Sequence, residues 1–203
     1  MTEQHDHDHG HSHDHPHEHE HHHVLSYEDA VAALRADKDE FFKSSPHSPI
    51  PAAEREAFQG LPYYPVDASL VFDDLALDPY VGDEPTRFEM PTSDGRLRPS
   101  ERAGVFHFPL DGVDRTLTAY VFEGSHSHSV FVPFVDTTSG SETYGAGRYL
   151  DLEPEEDGTY SLDFNLAYHP SCVYDPKYSC PLTPAENRLP VAIRAGERLP
   201  TTE

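Results

Sequence analysis

Apolar residues follow a helical period near the start of the chain and a period of two further on. The helical part runs from Ala30 to Phe42, where Val31, Leu34 and Phe41 recur at the spacing of one helix face. Its more frequent role is to pack on a core, although an amphipathic helix can also bind a partner. We therefore predict an N-terminal helix that packs on the core.

Local sequence marks both ends of this helix. Ser26 opens a Ser-Tyr-Glu-Asp sequence that is similar to a capping box, in which side chains satisfy the first free backbone N–H groups. Pro46 and Pro49 follow the apolar stripe and prevent its continuation. The connection that follows, residues 44–66, is rich in proline, and one helical turn is predicted in it at Ala52–Phe58.

From Ser69 onward the pattern alternates, which predicts β-strands. The predicted strands are Leu70–Phe72, Arg87–Met90, Gly104–Leu110, Arg115–Glu123, Val130–Val135, Gly147–Leu152 and Thr159–Tyr168. Turn sequences follow the second strand (Ser93-Asp94-Gly95) and the third (Asp111-Gly112), and Glu155–Gly158 predicts a hairpin between the last two. Strands joined by tight turns pair antiparallel. The predicted fold is mainly β (α+β), with an antiparallel sheet core, barrel-like or sandwich-like, an N-terminal helix and a long proline-rich connection.

The strand Val130–Val135 reads VFVPFV and is apolar on both faces, which predicts an inner strand of the sheet. Pro133 is unusual there because it has no N–H to donate to a neighbouring strand. We expect a bulge or the end of the strand at this point.

The first 23 residues have a different composition from the rest. Residues 5–23 contain eleven histidines, most of them alternating with Asp or Glu, and no apolar residue other than Pro16. Such a segment cannot bury enough surface to offset its ordering entropy, so we predict a disordered tail over residues 1–24 and a single domain over residues 25–203. Neutral imidazole is a common ligand of zinc, nickel and copper. The predicted metal ligands are His5, His7, His9, His11, His13, His15, His17, His19, His21, His22 and His23.

Charge narrows the possible partners. The chain has 37 acids and 14 bases, a net charge of −23, and only three lysines. Without the six acids of the tail, 31 acids still face 14 bases, a balance typical of a cytoplasmic protein from a high-salt cell, although an ordinary acidic protein is the alternative. An acidic surface disfavours nucleic acid. We find no apolar run long enough for a membrane span and no secretory signal pattern, and therefore expect no membrane contact.

Candidate ligand-binding groups lie in the last third of the chain. The loop from Thr137 to Arg148 is rich in hydroxyls and glycine, and Arg148 could bind a carboxylate or phosphate bidentately, or pair with an acid of the protein. Asp163 and Asn165 alternate onto one face of a predicted strand. That face could bind a ligand, or it could be solvated or brace a loop.

The two cysteines, Cys172 and Cys180, are separated by seven residues, which is wider than the usual spacing of metal-binding pairs. Free thiols, a disulfide and a metal site that includes His169 all remain open from the sequence.

Two long segments, Phe131–Leu152 and Leu162–Leu189, and a short closing one, Ile193–Arg198, carry a family resemblance. They resemble the DUF1684 family of uncharacterised bacterial and archaeal proteins, and the similarity extends over about residues 27–198. The resemblance implies a shared fold and brings no reaction with it. His169 stands where the family tends to have asparagine, so the resemblance gives this histidine no general role, and the tail lies outside the pattern.

The candidate ligand pocket combines residues whose chemistry suits a ligand with residues that carry the family resemblance. It comprises Tyr144, Arg148, Asp163, Asn165, Tyr168, Cys172, Glu186 and Asn187. Three interpretations fit these residues and the tail: a protein that binds a divalent transition metal through its tail and a small ligand in this pocket, an enzyme acting there on a small polar or anionic substrate, or a structural or interaction module without catalysis.

Overall fold

A computed structural model gives the structure of residues 25–125 and 129–200. Within these residues one α-helix precedes seven β-strands. The helix is α1 (Tyr27–Ser44), and the strands are β1 (Val71–Leu75), β2 (Arg87–Pro91), β3 (Leu97–Leu110), β4 (Val113–Phe122), β5 (Val130–Phe134), β6 (Arg148–Leu152) and β7 (Tyr160–Asp163).

Helix α1 begins at the predicted cap. The hydroxyl of Ser26 accepts the Asp29 backbone N–H at 3.1 Å and donates to the Asp29 carboxylate at 2.9 Å. Val31 and Phe42 are buried, whereas Leu34 and Phe41 are exposed, so the buried stripe is narrower than the one predicted. The helix therefore contacts the fold along one edge of its surface.

Five strands form one antiparallel sheet in the order β2-β3-β4-β5-β6. The turn between β3 and β4 has Asp111 and Gly112 at φ 53° and 71°, the left-handed pair that a two-residue hairpin with native twist requires. Among the described residues β2 and β6 do not pair, so this sheet is open. The mainly β, antiparallel prediction is confirmed, in a layered form and not as a closed barrel.

Strands β1 and β7 form a second, two-stranded antiparallel sheet that covers one face of the first. The ring centres of Phe72 and Phe108 lie 5.1 Å apart, and those of Tyr160 and Phe106 lie 5.2 Å apart. These aromatic contacts join the two layers through the main core.

The predicted hairpin between the last two strands is wrong. The turn Glu155–Gly158 does form, with the Glu155 N–H bonded to the Thr159 carbonyl at 2.8 Å, but β7 then pairs with β1 and not with β6. One edge of β6 is already paired with β5, and Tyr149 of β6 forms a bridge with Tyr168 on the other edge. The apolar side chains of β7 instead reach the core from the second layer.

Strand β5 is buried at every position, as an inner strand should be. It pairs with β6 along its whole length but with β4 only through Phe131 and Tyr120. It ends one residue after Pro133, close to the predicted interruption. The missing contact between β4 and β5 is supplied by a side chain, described below.

The proline-rich connection and the C-terminal residues pack together beside α1. The Tyr64 N–H donates to the Gly196 carbonyl and the Arg198 N–H donates to the Pro62 carbonyl, each at 2.9 Å. A small apolar cluster of Phe42, Ile50 and Leu61 forms beneath them. The site described next lies at this end of the molecule. In the described part of the chain, no helix combines the length and the apolarity that crossing a bilayer would require.

Candidate functional site

A buried carboxylate, Glu197, forms the centre of the site. Its side chain is 1% exposed, and its Oε1 lies 2.6 Å from the Nζ of Lys38. Its Oε2 accepts the His169 backbone N–H at 2.7 Å and the Tyr174 hydroxyl at 3.0 Å. A carboxylate removed from water needs such compensation, so helix α1 and the segment that carries His169 and Tyr174 are tied together at this point.

His169 is a buried neutral histidine. Its Nε2 accepts the Tyr144 backbone N–H at 3.3 Å, and its Nδ1 lies 3.6 Å from Oε2 of Glu197. This geometry places the proton on Nδ1. Burial, followed by the positive charges of Arg148 and Lys38, lowers the pKa of His169 to about 3. Lys38 is the closer cation partner of Glu197, so the histidine stays uncharged beside the carboxylate.

A cavity of about 690 Å³ lies against His169. We call it the His169 cavity. Its apolar wall is formed by Ile50, Ala53, Ala57, Phe58, Leu61, Pro62, Val173, Leu199 and Pro200. Its polar side chains are His169, Tyr174 and Arg198, with Glu54 exposed at the rim. A mostly apolar wall with a few polar groups is the usual composition of a small-molecule site.

A smaller cavity of about 220 Å³ also borders His169. Lys38, Tyr168 and Tyr178 line it together with Phe42 and other residues. The Nζ of Lys38 lies 4.7 Å from the ring centre of Tyr168, a cation–π contact. His169 therefore lies between two open spaces, and its backbone is fixed to the Glu197 carboxylate.

Two other depressions have a different character. One of about 570 Å³ lies where β2, β3 and β4 run side by side. Another of about 690 Å³ is lined mainly by carboxylates, those of Asp73, Asp74, Glu155, Glu156 and Asp157. Only the His169 cavity, among these larger spaces in the described part of the chain, combines an apolar wall with a buried titratable side chain.

Arg148, the predicted anion-binding residue, binds buried groups of the protein itself. Its side chain is 1% exposed and lies 3.2 Å from the carboxylate of Asp136. Its terminal nitrogens donate to the carbonyls of Ile193 at 2.7 Å, Glu197 at 3.1 Å and Ala195. We call Asp136, Arg148 and these three carbonyls the Arg148 clasp. It fixes the C-terminal segment to the loop between β5 and β6.

Glycine makes this close approach possible. Gly196 has φ 73°, and a Cβ there would lie 2.5 Å from the Ala167 carbonyl. Only glycine fits this position without moving the backbone. The segment that carries Glu197 therefore reaches both the clasp and His169.

Asp163 and Asn165 do lie together, as predicted, but they bind other parts of the chain. The amide of Asn165 donates to the Asp163 carboxylate at 3.0 Å and to the Asp67 carbonyl at 2.8 Å, and accepts the Asp67 N–H at 2.8 Å. The Tyr27 hydroxyl donates to Asp163 at 2.7 Å. Strand β7 ends at Asp163, so a short 3-10 turn, and not strand alternation, brings the two side chains together.

Asn187 replaces a missing strand contact. Its amide accepts the Thr118 N–H at 2.8 Å and donates to the carbonyls of Thr118 and Pro133, each at 2.7 Å. It thus links β4 to β5 where Pro133 has no N–H. Its neighbour Glu186 faces another way and accepts from Arg102 and from Tyr120, each at 2.9 Å.

The other predicted residues lie closer to His169. The backbone of Tyr144 contacts the histidine ring, and Tyr168 lines the smaller cavity. Both cysteines are free thiols, and the Cys172 N–H donates to the Sγ of Cys180 at 3.3 Å. Burial raises the pKa of Cys180 to about 11, so this thiol stays protonated.

The predicted set is therefore divided among several places, and it does not include Lys38, Glu197, His169 or Tyr174. Lys38 and Glu197 lie 159 positions apart along the chain, and no spacing rule connects them. One signal in the sequence points to this pair: lysine is scarce in this chain, so a lysine in the predicted helix is a candidate ion-pair partner. The eleven tail histidines lie outside the described residues.

Comparison with known proteins places the chain in a family. Residues 56–198 match the family described as protein of unknown function (DUF1684). The chain is also similar to an uncharacterized protein of Haloarcula marismortui whose solution NMR structure is known. The identity is 39% and the TM-score is 0.62, over 84% of this chain and 92% of that one. No curated protein matches the chain. The chain belongs to the DUF1684 family, which confirms the resemblance seen in the sequence.

Proposed function

We propose that this DUF1684 domain binds a small organic molecule in the His169 cavity. The observation that supports the proposal is the position of His169, a buried neutral imidazole held by Glu197 and Tyr144 at the wall of an apolar space. These bonds fix the wall of the space in advance, so a largely apolar ligand can enter it at little entropic cost.

This location differs from the pocket expected around Arg148, Asp163 and Asn165. The hydrogen-bonding groups of those three side chains are directed at the protein itself. A cavity of about 370 Å³ does border Asp163, but the carboxylates of Asp151, Glu153 and Glu155 line it as well. A ligand bound by Arg148 or Asn165 would have to replace internal bonds, whereas in the His169 cavity it would fill a mostly apolar space.

An anionic apolar dye, 8-anilinonaphthalene-1-sulfonate, tests the proposal through its fluorescence. We expect saturable binding by the folded chain, and loss of that binding in Val173→Trp, whose larger side chain occupies the cavity. Val81→Trp is the matched control, because Val81 is 93% exposed and lies outside the lining. Equal dye binding by both variants, with melting temperatures like that of the wild type, would rule the site out.

We propose a second, separate function for the tail, the binding of a divalent transition metal. The supporting observation is chemical: eleven histidines alternate with carboxylates within nineteen residues. Imidazole ligands suit zinc, nickel and copper, and cellular availability would decide among them. Calorimetry with zinc or nickel should show that most binding disappears when residues 1–23 are deleted, or when the eleven histidines are changed to serine and the acids are kept. An unchanged stoichiometry in both variants would contradict this function.

We also propose that the protein works in the cytoplasm of a high-salt cell. Its charge balance supports this, because the self-repulsion of 31 acids against 14 bases in residues 24–203 is weakened by salt. The melting temperature of the tail-deleted chain should rise as KCl increases from about 0.1 M to about 2 M. A flat or falling melting temperature would argue for an ordinary acidic protein.

A further inference from the structure

Arg198 is an unusual cation in this acidic chain. It is half-buried in the wall of the His169 cavity. Its Nε donates to the Leu199 carbonyl at 3.4 Å, and its guanidinium carbon lies 5.3 Å from the ring centre of Tyr64. Within residues 25–125 and 129–200, no carboxylate lies within ion-pair distance of it.

Glu142, an acidic neighbour of Arg198, already has other partners. Glu142 is close enough for the charge of Arg198 to help lower its pKa. Its carboxylate, however, accepts two hydrogen bonds from Arg194, at 2.6 and 3.0 Å, and one from the Tyr64 hydroxyl at 3.1 Å. In a protein with 37 acids, an arginine left without a carboxylate beside an apolar space has donors available for a ligand.

The surrounding elements carry the scarce lysines. Lys38 lines the smaller cavity, Lys43 lies in the last turn of α1, and Lys177 follows Tyr174 by three residues. These are all the lysines of the chain. Helix α1 also carries five acids, and Lys38 and Lys177 are paired with Glu197 and Asp175. Arg198 is therefore the cation of the cavity wall that a ligand can use, while Glu54 at the rim opposes it.

We infer that the ligand of the His169 cavity is a monocarboxylate with an apolar body. Arg198 binds the carboxylate through two parallel N–H···O bonds, the geometry that guanidinium favours. The apolar body lies against Phe58, Leu61, Val173 and Leu199, and the Nδ1 and Nε2 of His169 stay committed to the protein. This inference rests on the proposed binding function and adds the ligand class to it.

Three probes of one chain length separate the inference from the function it rests on: octanoate, 1-octanol and octylamine. Dissociation constants would be measured by NMR titration of the full chain at low and high salt, below the concentration at which the probes form micelles. We expect octanoate to bind about tenfold or more tightly than 1-octanol, and octylamine to bind most weakly.

Substitutions of charged residues show which side chain produces the preference for octanoate. Arg198→Gln should bring octanoate to the affinity of 1-octanol, while Arg198→Lys should keep part of the difference because charge remains without the planar pair of donors. Arg96→Gln removes an equal charge from the turn between β2 and β3, which is outside the cavity lining, and should change nothing. Glu54→Gln should tighten octanoate binding. Melting temperatures show whether each variant is folded.

These measurements distinguish a wrong ligand class, a wrong assignment of Arg198 and a failed binding function. If 1-octanol binds as tightly as octanoate, or if octylamine binds more tightly, the ligand class is wrong and the binding function stands. If the preference for octanoate survives in folded Arg198→Gln, the assignment of Arg198 is wrong. If none of the three probes binds, the binding function fails, and the inference fails with it.

Discussion

The Arg148 clasp and the Glu197–His169 centre are two buried polar clusters that share one C-terminal segment. They differ in whether their side chains also border open space. In the clasp, the terminal nitrogens of Arg148 point at Asp136 and at backbone carbonyls. In the other centre, Lys38 and His169 are paired but also border open space. Burial of a charge is therefore not sufficient to identify a ligand site in this fold. The adjoining cavity is the distinguishing feature.

The largest expected effect comes from breaking the clasp. Arg148→Met keeps an apolar stem of similar length and leaves the buried Asp136 without its cation, which should lower the free energy of unfolding by about 3–5 kcal/mol. Denaturant unfolding measures the loss. Dye binding in the His169 cavity should persist in the fraction that remains folded.

Two controls sharpen this prediction. Arg194→Met breaks an exposed pair with Glu142 and should cost less than about 1 kcal/mol. The double variant Arg148→Met/Asp136→Asn should recover part of the lost stability, since the uncompensated charge is gone. A cost for Arg148→Met no larger than that for Arg194→Met would show that the clasp is not a structural element.

A smaller loss is expected at Asn187. Asn187→Leu removes three buried hydrogen bonds and leaves the Thr118 N–H without a partner, so the free energy of unfolding should fall by about 2–3 kcal/mol. Ligand affinity in the folded protein should stay unchanged, because Asn187 joins β4 to β5 and is absent from the cavity lining. Weaker dye binding without a change in stability would assign this residue to the site instead.

The smallest effect is expected from the pH dependence at His169 between pH 7.5 and pH 5, because only the first part of its titration falls within that range. Its folded pKa, about 3, is lower than the unfolded value of about 6.5. The contribution of His169 to stability is therefore complete above pH 6.5. It is lost as the pH falls toward 3, because the unfolded chain binds a proton that the folded chain does not. The limit is about 1.4 kcal/mol per pH unit.

The variant His169→Asn separates the contribution of the His169 titration to stability from that of the many carboxylates. Unfolding free energies of wild type and variant would be measured between pH 7.5 and pH 5. The difference between them should shrink as the wild type loses stability at the acidic end. Parallel curves would mean that His169 is not held neutral by its surroundings.

Much of the fold follows from local sequence. The helix cap at Ser26, the turn at Asp111-Gly112 and the inner strand around Val132 were predictable because each depends on neighbouring residues or on alternation. The pairing of β7 with β1 was not, because a tight turn before β7 is equally compatible with a hairpin. Which face receives a strand depends on long-range packing that one sequence does not display.

The site was less predictable than the fold. The pattern placed Asp163 beside Asn165, but it could not say whether their hydrogen-bonding groups would meet Tyr27 and Asp67 or a ligand. Glu197 looked like one acid among many. Its importance arises from burial and from contacts with α1, which only the folded chain brings together.

Chemical-shift mapping with octanoate tests the central claim most directly, because it shows where a ligand contacts the folded protein. The largest amide shifts should fall on the His169 cavity, at Phe58, Leu61, Val173 and Leu199. Shifts confined to the predicted pocket, at Arg148, Asp163 and Asn165, with none in the cavity, would contradict the separation of structural and ligand-binding centres proposed for this fold.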